Sequence, residues 1–446
     1  MTKCSPLALL AVLLSLGTPA NHAACLVHTG AAPMSDTDQG PPPFDYEHNL
    51  LGDWFGLRNT LLDHGVDITG SYVAEPAGNP VGGTRHSFTY LHNIGFGIAL
   101  DLEKIAGIPG TTFTVTGSQR SGSGLTQESI GNAISVQQIY GGGQTIRLVQ
   151  MRFDHILFDG RFALSYGRLT TTADFLSSPL YCQFVTNGIC GQPTAPFFNM
   201  PNGLTAYPAG YWGALGRIQI TPDTYFKAGV YDADVNSGDA FHGTNFGFGS
   251  NGALYIGEAG YKSDHAAGGM PGRYSFGGYY STGHFPDVAQ DAFMTNLFIS
   301  GLPGKEHSGQ DGFYLIVEQM LLRNGYNPKT GLTGFVTFVV SPDESKSPMP
   351  YYMNGGLIDE GLIPGRPNDK TSLGFYAAWF SHDLRDAERE AGLSSQSVET
   401  DIELNHQIQF TPYFYLRPNI QYIIKPNGLV TIQNALVLGV EAGVTF

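Results

Sequence analysis

A period of two recurs along nearly all of this chain, and its last stretch shows the pattern most plainly. In Asn434-Ala-Leu-Val-Leu-Gly-Val-Glu-Ala-Gly-Val-Thr-Phe446, the residues Leu436, Leu438, Val440, Ala442, Val444 and Phe446 fall on one face. Val437, Gly439, Glu441, Gly443 and Thr445 fall on the other. Strand side chains alternate across a sheet, so this is a strand with one apolar face and one small or polar face. In a soluble sandwich the apolar face turns inward. In a transmembrane barrel it turns outward to lipid, and the polar face lines a wet lumen.

The same alternation returns strand after strand. Phe96, Ile98, Leu100 and Leu102 oppose Gly97, Ala99, Asp101 and Glu103. Phe226, Ala228 and Val230 oppose Tyr225, Lys227, Gly229 and Tyr231. Ile402, Leu404, Ile408 and Phe410 oppose Asp401, Glu403, Asn405, Gln407 and Gln409. One such strand is ordinary; a whole chain of them reads as an all-β, membrane-spanning antiparallel barrel. Composition agrees. Charged residues are 14%, against about 25% in average globular proteins, and the polarity comes from Ser, Thr, Asn, Gln and Gly. A net charge of −15 removes the basic footprint that nucleic-acid binding needs.

Residues 1–24 read as an export signal: Lys3, a short apolar run through Leu16, then Ala20, Ala23 and Ala24. Cys25 follows, but His22 stands where a lipoprotein signal usually carries Leu, so lipidation is not expected. Residues 25–65 read as a periplasmic leader. It is Pro-rich over Ala31–Phe44 and ends in the one persuasive helix, with Asp53 as cap, Leu57, Leu61 and Leu62 on one face, and Gly65 as terminator. The barrel is expected over 66–446. Later segments fall short of the ~20 consecutive apolar residues of a membrane helix.

Short turns at Ile108-Pro-Gly110, Phe158-Asp-Gly160, Thr221-Pro-Asp223, Ile363-Pro-Gly365 and Thr411-Pro-Tyr413 are separated by longer stretches near Ser121–Gln144, Thr171–Gly210 and Gly283–Asp311. Outer-membrane barrels pair short periplasmic turns with long external loops. Placing Ala292–Ser300 in an external loop and reading Tyr351–Glu360 as a strand keeps that alternation, and the strand count comes to about sixteen. That size leaves room for a channel.

Catalytic signatures are poor: Gly-x-Ser-x-Gly and His-Glu-x-x-His are both absent. Gly247-Phe-Gly-Ser-Asn-Gly252 spells a dinucleotide fingerprint but leads into a strand, so it reads as loop glycine. Asp232-Ala-Asp-Val-Asn-Ser-Gly-Asp239 half-resembles a calcium loop without its bidentate Glu, and reads as a polar turn. Neither a metal nor a cofactor is expected. Cys182 and Cys190 lie in a Pro-rich loop of an exported chain, which favours a disulfide over a metal site or free thiols.

Leu51-Gly-Asp-Trp-Phe-Gly-Leu-Arg58, Tyr72-Val-Ala-Glu75, Gly167-Arg168-Leu169, Ser178-Pro-Leu-Tyr-Cys-Gln-Phe184, Pro418-Asn-Ile-Gln-Tyr422 and the terminal Asn434–Gly439 stretch resemble the carbohydrate-selective porins of the OprB type over nearly the whole mature chain. The resemblance implies a sixteen-stranded outer-membrane porin passing monosaccharides such as glucose. It also implies lipid and lipopolysaccharide around the wall, and an assembly machinery that recognises the terminal aromatic; monomer and homo-oligomer both remain open. On porin architecture, the expected pore residues are Glu75, Arg120, Arg152 and Arg168, with Asp174 at the base of the long loop and Tyr181 and Phe197 within it. Arg168 shares a face with Phe162, Leu164 and Tyr166, and is expected near the external rim, beyond the apolar band. For Arg120 and Arg152 the plain alternative is pairing with a neighbouring lumen carboxylate. An enzyme with a barrel fold, a non-selective porin and a soluble glycan binder are the competing functions.

Overall fold

The computed structural model describes residues 49–141, 143–191, 193–201, 204–240, 252–324 and 330–446. The export signal, the Ala31–Phe44 leader and most of Gly247–Gly252 lie outside the described residues.

The described strands form one antiparallel sheet of eighteen that closes on itself, because the first strand, Val66–Ala74, pairs with the last, Gln433–Thr445. Two of the eighteen, Ala77–Gly83 and Phe88–Thr89, are short pieces of the first long connection. The other sixteen make the wall. Closure leaves no sheet edge, which the bilayer demands because lipid offers no partner for a free N–H or C=O.

Burial along the wall is inverted relative to a soluble protein. Ile98, Phe276, Ile402, Leu404, Ile420 and Leu438 are exposed, whereas Glu403, Arg417, Asn419, Gln421 and Glu441 are buried. Leu438 is 46% exposed and Glu441 is 1%. The apolar face of the terminal strand therefore looks outward and its polar face looks into the lumen.

All five expected short turns lie at one end of the barrel, together with both ends of the described chain. Leu50 N–H donates to the Thr445 carbonyl there, and Phe446 N–H to the Gly70 carbonyl. The helix occupies Leu57–Asp63, preceded by a 3-10 turn at Trp54–Gly56. Asp53 Oδ1 accepts the Asn59 N–H at 3.0 Å. It is not the sole helix: Leu102–Ala106 follows a strand with Asp101 as its cap, and His382–Glu390 starts at Ser381, whose hydroxyl accepts the Leu384 N–H. The second carries almost no apolar residues, so no hydrophobic stripe announces it.

Tyr351–Glu360 is a strand, and Ala292–Ser300 lies in the connection after the Gly272–Asp291 strand. The stretch Gly283–Asp311 is not a loop, however. Strands Gly272–Asp291 and Gly304–Arg323 run through it as a hairpin twice the length of its neighbours, bent by register shifts after Ser281 and Pro286. Its tip is held over other long connections: Val288 N–H donates to the Ser345 carbonyl, and Asn296 Nδ2 to the Ala387 carbonyl.

Candidate functional site

An empty sixteen-stranded barrel would be a wide water channel. Here two of the long connections turn inward. The Thr170–Gly210 segment leaves the strand Phe162–Leu169 and crosses to the opposite wall. There Tyr181 Oη lies 2.6 Å from Thr337 Oγ1, and Asn199 Nδ2 donates to the Ser341 hydroxyl at 3.0 Å and the Met349 carbonyl at 2.7 Å. Tyr352 and Asn354 both donate to the Gly188 carbonyl. Phe184 packs against Phe335 with ring centroids 5.8 Å apart. At the turn of this segment Cys182 and Cys190 are joined by a disulfide.

The Ser123–Thr145 segment, which falls in the stretch expected as an external loop, is the second inward element. Leu125, Ile130, Ile134, Val136 and Ile139 in it are all 2% exposed or less. Gln137 Nε2 donates to the Glu75 carbonyl at 2.6 Å, Gln138 Nε2 to Glu441 at 3.2 Å, and Gln421 Nε2 to the Val136 carbonyl at 2.9 Å.

The expected pore residues divide by what they touch. Arg152, on the strand Ile146–Leu157, donates to both carboxylate oxygens of Asp174 at 3.0 Å and to the Ser165 hydroxyl at 2.9 Å. Its Nε lies 2.8 Å from Asp154. Lys227 joins this knot, donating to the Asp174 carbonyl and lying 3.0 Å from Glu258, and Arg273 donates to the Ser177 carbonyl at 2.6 Å. These cations bind the root of the inward segment to the wall. Tyr181 is fully buried between loop and wall, and Phe197 is partly buried against the main apolar cluster, so neither ring stands free in the lumen.

Arg168 pairs in register with Met151 and Trp212, which puts it on the outward row near the end of its strand. It is nevertheless 1% exposed, and its Nε donates to the Leu148 carbonyl at 3.3 Å beside a register shift in the neighbouring strand. It is tucked into the wall.

Arg120 and Glu75 belong to the polar network on the lumen side of the wall, and both are buried within it, at 5% and 1% exposure. Arg120 donates to Asn93 Oδ1 at 3.1 Å and to the Gly141 carbonyl at 3.1 Å, with its guanidinium 5.2 Å from the ring centre of Tyr207. Asn93 Nδ2 in turn donates to Tyr207 Oη at 3.3 Å. Glu75 stands beside Glu441, whose carboxylate takes Arg417 at 2.9 Å and the Tyr415 hydroxyl at 2.7 Å. Asn93, Tyr207, Glu399, Glu403 and Glu441 join the functional candidates only through the structure. The alternation Glu399-x-Asp401-x-Glu403, three carboxylates on one lumen face, was the available signal.

The comparisons with known proteins agree with this architecture. The carbohydrate-selective porin family OprB matches residues 85–446. Porin B of Pseudomonas aeruginosa is 29% identical over 95% of this chain and 97% of its own. A putative porin, QuiX, of Acinetobacter baylyi is 30% identical over 89% of this chain and 93% of its own. The high-pH structure of OprB from Pseudomonas putida superposes with a TM-score of 0.84 at 29% identity, covering 90% of this chain and 99% of that one. Outward apolar rows, a polar lumen, two inward segments and these matches leave one conclusion: the chain is an outer-membrane β-barrel and belongs to the OprB family of carbohydrate-selective porins.

Proposed function

We propose that the channel passes monosaccharides such as glucose one at a time, past Arg120 and Tyr207, which the buried Asn93 amide holds together. The observation that carries this reading is the convergence of a wall arginine, a wall amide and a loop tyrosine at one level of a lumen narrowed by two segments. A pyranose presents hydroxyls that donate and accept, and apolar C–H faces. A guanidinium supplies donors and an aromatic ring covers a C–H face. Asn93, whose oxygen accepts from Ser118 and Arg120 and whose Nδ2 donates to Tyr207, fixes the two in place. Neither the guanidinium nor the ring binds so tightly that release would limit flux, as a conducting site requires.

On the same reading the terminal strand ending in Phe446 is the segment taken up by the outer-membrane assembly machinery. The test of transport is single-channel current in a planar bilayer with a titration of glucose and other sugars. Glucose should reduce ion current saturably, and Arg120→Ala should weaken that block. Current untouched by every sugar would assign the protein to non-selective diffusion.

A further inference from the structure

Glu399 and Glu403 lie two apart from Asp401 on the lumen face of the strand Val398–Thr411, and all three are fully buried. Three carboxylates in a row are an expensive way to fill a wall, since apolar residues of similar volume often serve stability as well or better. Two of them have an identifiable use. Glu403 accepts the backbone N–H groups of Val185 at 2.9 Å and Thr186 at 2.7 Å. Those two residues sit inside the turn that the Cys182–Cys190 bond closes. Glu399 accepts the backbone N–H groups of Ala133 at 2.7 Å and Ile134 at 3.0 Å, which belong to the other inward segment. Tyr376 holds that carboxylate from behind, its hydroxyl donating at 2.8 Å. Hydrogen bonds from N–H to a carboxylate are roughly twice as strong as neutral ones and fix direction. The two segments also meet each other: Asn187 N–H donates to the Ser135 carbonyl at 2.8 Å.

We infer that the two inward segments act as one coupled constriction, and that Glu399 and Glu403 are the positioning residues setting its aperture from a single strand. Neither carboxylate needs to touch the sugar. Each fixes a loop backbone, and the Asn187–Ser135 contact passes a displacement of one loop to the other. Release of either anchor therefore widens the same opening. The inference rests on the chain being a sugar channel, but its readout is aperture, measured with ions and inert solutes.

The experiment compares wild type, Glu399→Gln, Glu403→Gln and the double variant in planar bilayers and in liposome swelling with mono-, di- and trisaccharides. Each single variant should raise conductance severalfold and admit larger saccharides. The double variant should do no more than the stronger single. A Ser135→Cys/Asn187→Cys pair, crosslinked by oxidation, should restore the wild-type size limit in both single variants. Should Glu399→Gln fail to show heat-modifiable migration, Tyr376→Phe keeps the carboxylate while removing one donor, and should give a smaller shift in the same direction. Two outcomes overturn the inference: an unchanged size limit in Glu399→Gln or Tyr376→Phe, or independent effects that multiply in the double variant. Failure of the sugar-transport reading would look different, as wild-type conductance indifferent to sugar whatever the anchors do.

Discussion

Arg152 ties wall to loop: one of its guanidinium nitrogens lies 3.0 Å from both carboxylate oxygens of Asp174, and both side chains are 5% exposed. Breaking a buried pair outright costs about 3–5 kcal/mol. Asp174→Asn leaves Arg152 its second carboxylate, Asp154 at 2.8 Å, so the loss is smaller than that. The barrel has its own closed sheet, so that loss should fall on the inward segment. Asp174→Asn should retain heat-modifiable migration yet give a noisier open-channel current. A current as quiet as wild type would mean the other contacts at the loop root, Lys227 and Arg273, suffice without the pair.

The disulfide sits where the inward segment turns back, enclosing the N–H groups that Glu403 binds and the Gly188 carbonyl that Tyr352 reaches. Closing a loop by a disulfide typically contributes about 2–4 kcal/mol. In the exported protein, alkylation followed by mass measurement should find Cys182 and Cys190 without free thiols. Cys182→Ser/Cys190→Ser should assemble, and should widen the range of saccharide sizes that enter liposomes. An unchanged range would show that Glu403 and the aromatic packing of Phe184 hold the turn unaided.

The wall was readable because lipid imposes one rule on every strand that meets it. Ile402 and Leu404 must be apolar outside, which leaves Glu403 free to be polar inside. The rule stops at the membrane boundary. In the upper part of the Gly272–Asp291 strand, Phe285 and Ala289 are buried and His284 and Pro286 point outward. The pattern has reverted to the soluble sense, so a reading tuned to the membrane sense takes this half-hairpin for loop. The candidate site was less legible for a different reason. Asp174 and Arg152 were found, but their pairing depends on where the inward segment lies. The apolar run Ile130, Ile134, Val136 and Ile139 was the overlooked sign that a second segment also needs burial.

The inverted burial makes a sharp prediction about adjacent residues. Leu438 is 46% exposed on the outward face, whereas its neighbour Val437 is fully buried within the lumen packing. Arginine at the lipid midplane of a barrel costs about 2–4 kcal/mol. Leu438→Arg should lower the urea-unfolding free energy of refolded barrel in liposomes by up to that amount. Thr445→Arg, on the lumen row of the same strand, should leave that free energy much nearer wild type, because its guanidinium enters the wet interior rather than lipid. Equal loss from both would contradict the assigned faces.

The seam between first and last strands is short, with register partners only from Ser71↔Thr445 to Ala74↔Ala442. Phe446 extends it by one step. Its N–H donates to the Gly70 carbonyl at 2.8 Å, and its carbonyl accepts from Arg58 at 2.9 Å. The residue thus carries two separable things, a backbone clasp and an aromatic ring. A hydrogen bond contributes roughly 1 kcal/mol net, so deleting Phe446 should reduce the heat-modifiable fraction recovered on refolding in detergent. Phe446→Ala keeps the clasp, and should refold in detergent like wild type. In cells the two changes should converge if assembly recognises the ring, with both leaving less protein in the outer membrane. Wild-type outer-membrane levels of Phe446→Ala, beside a poorly assembled deletion, would place the whole contribution of this residue in the seam.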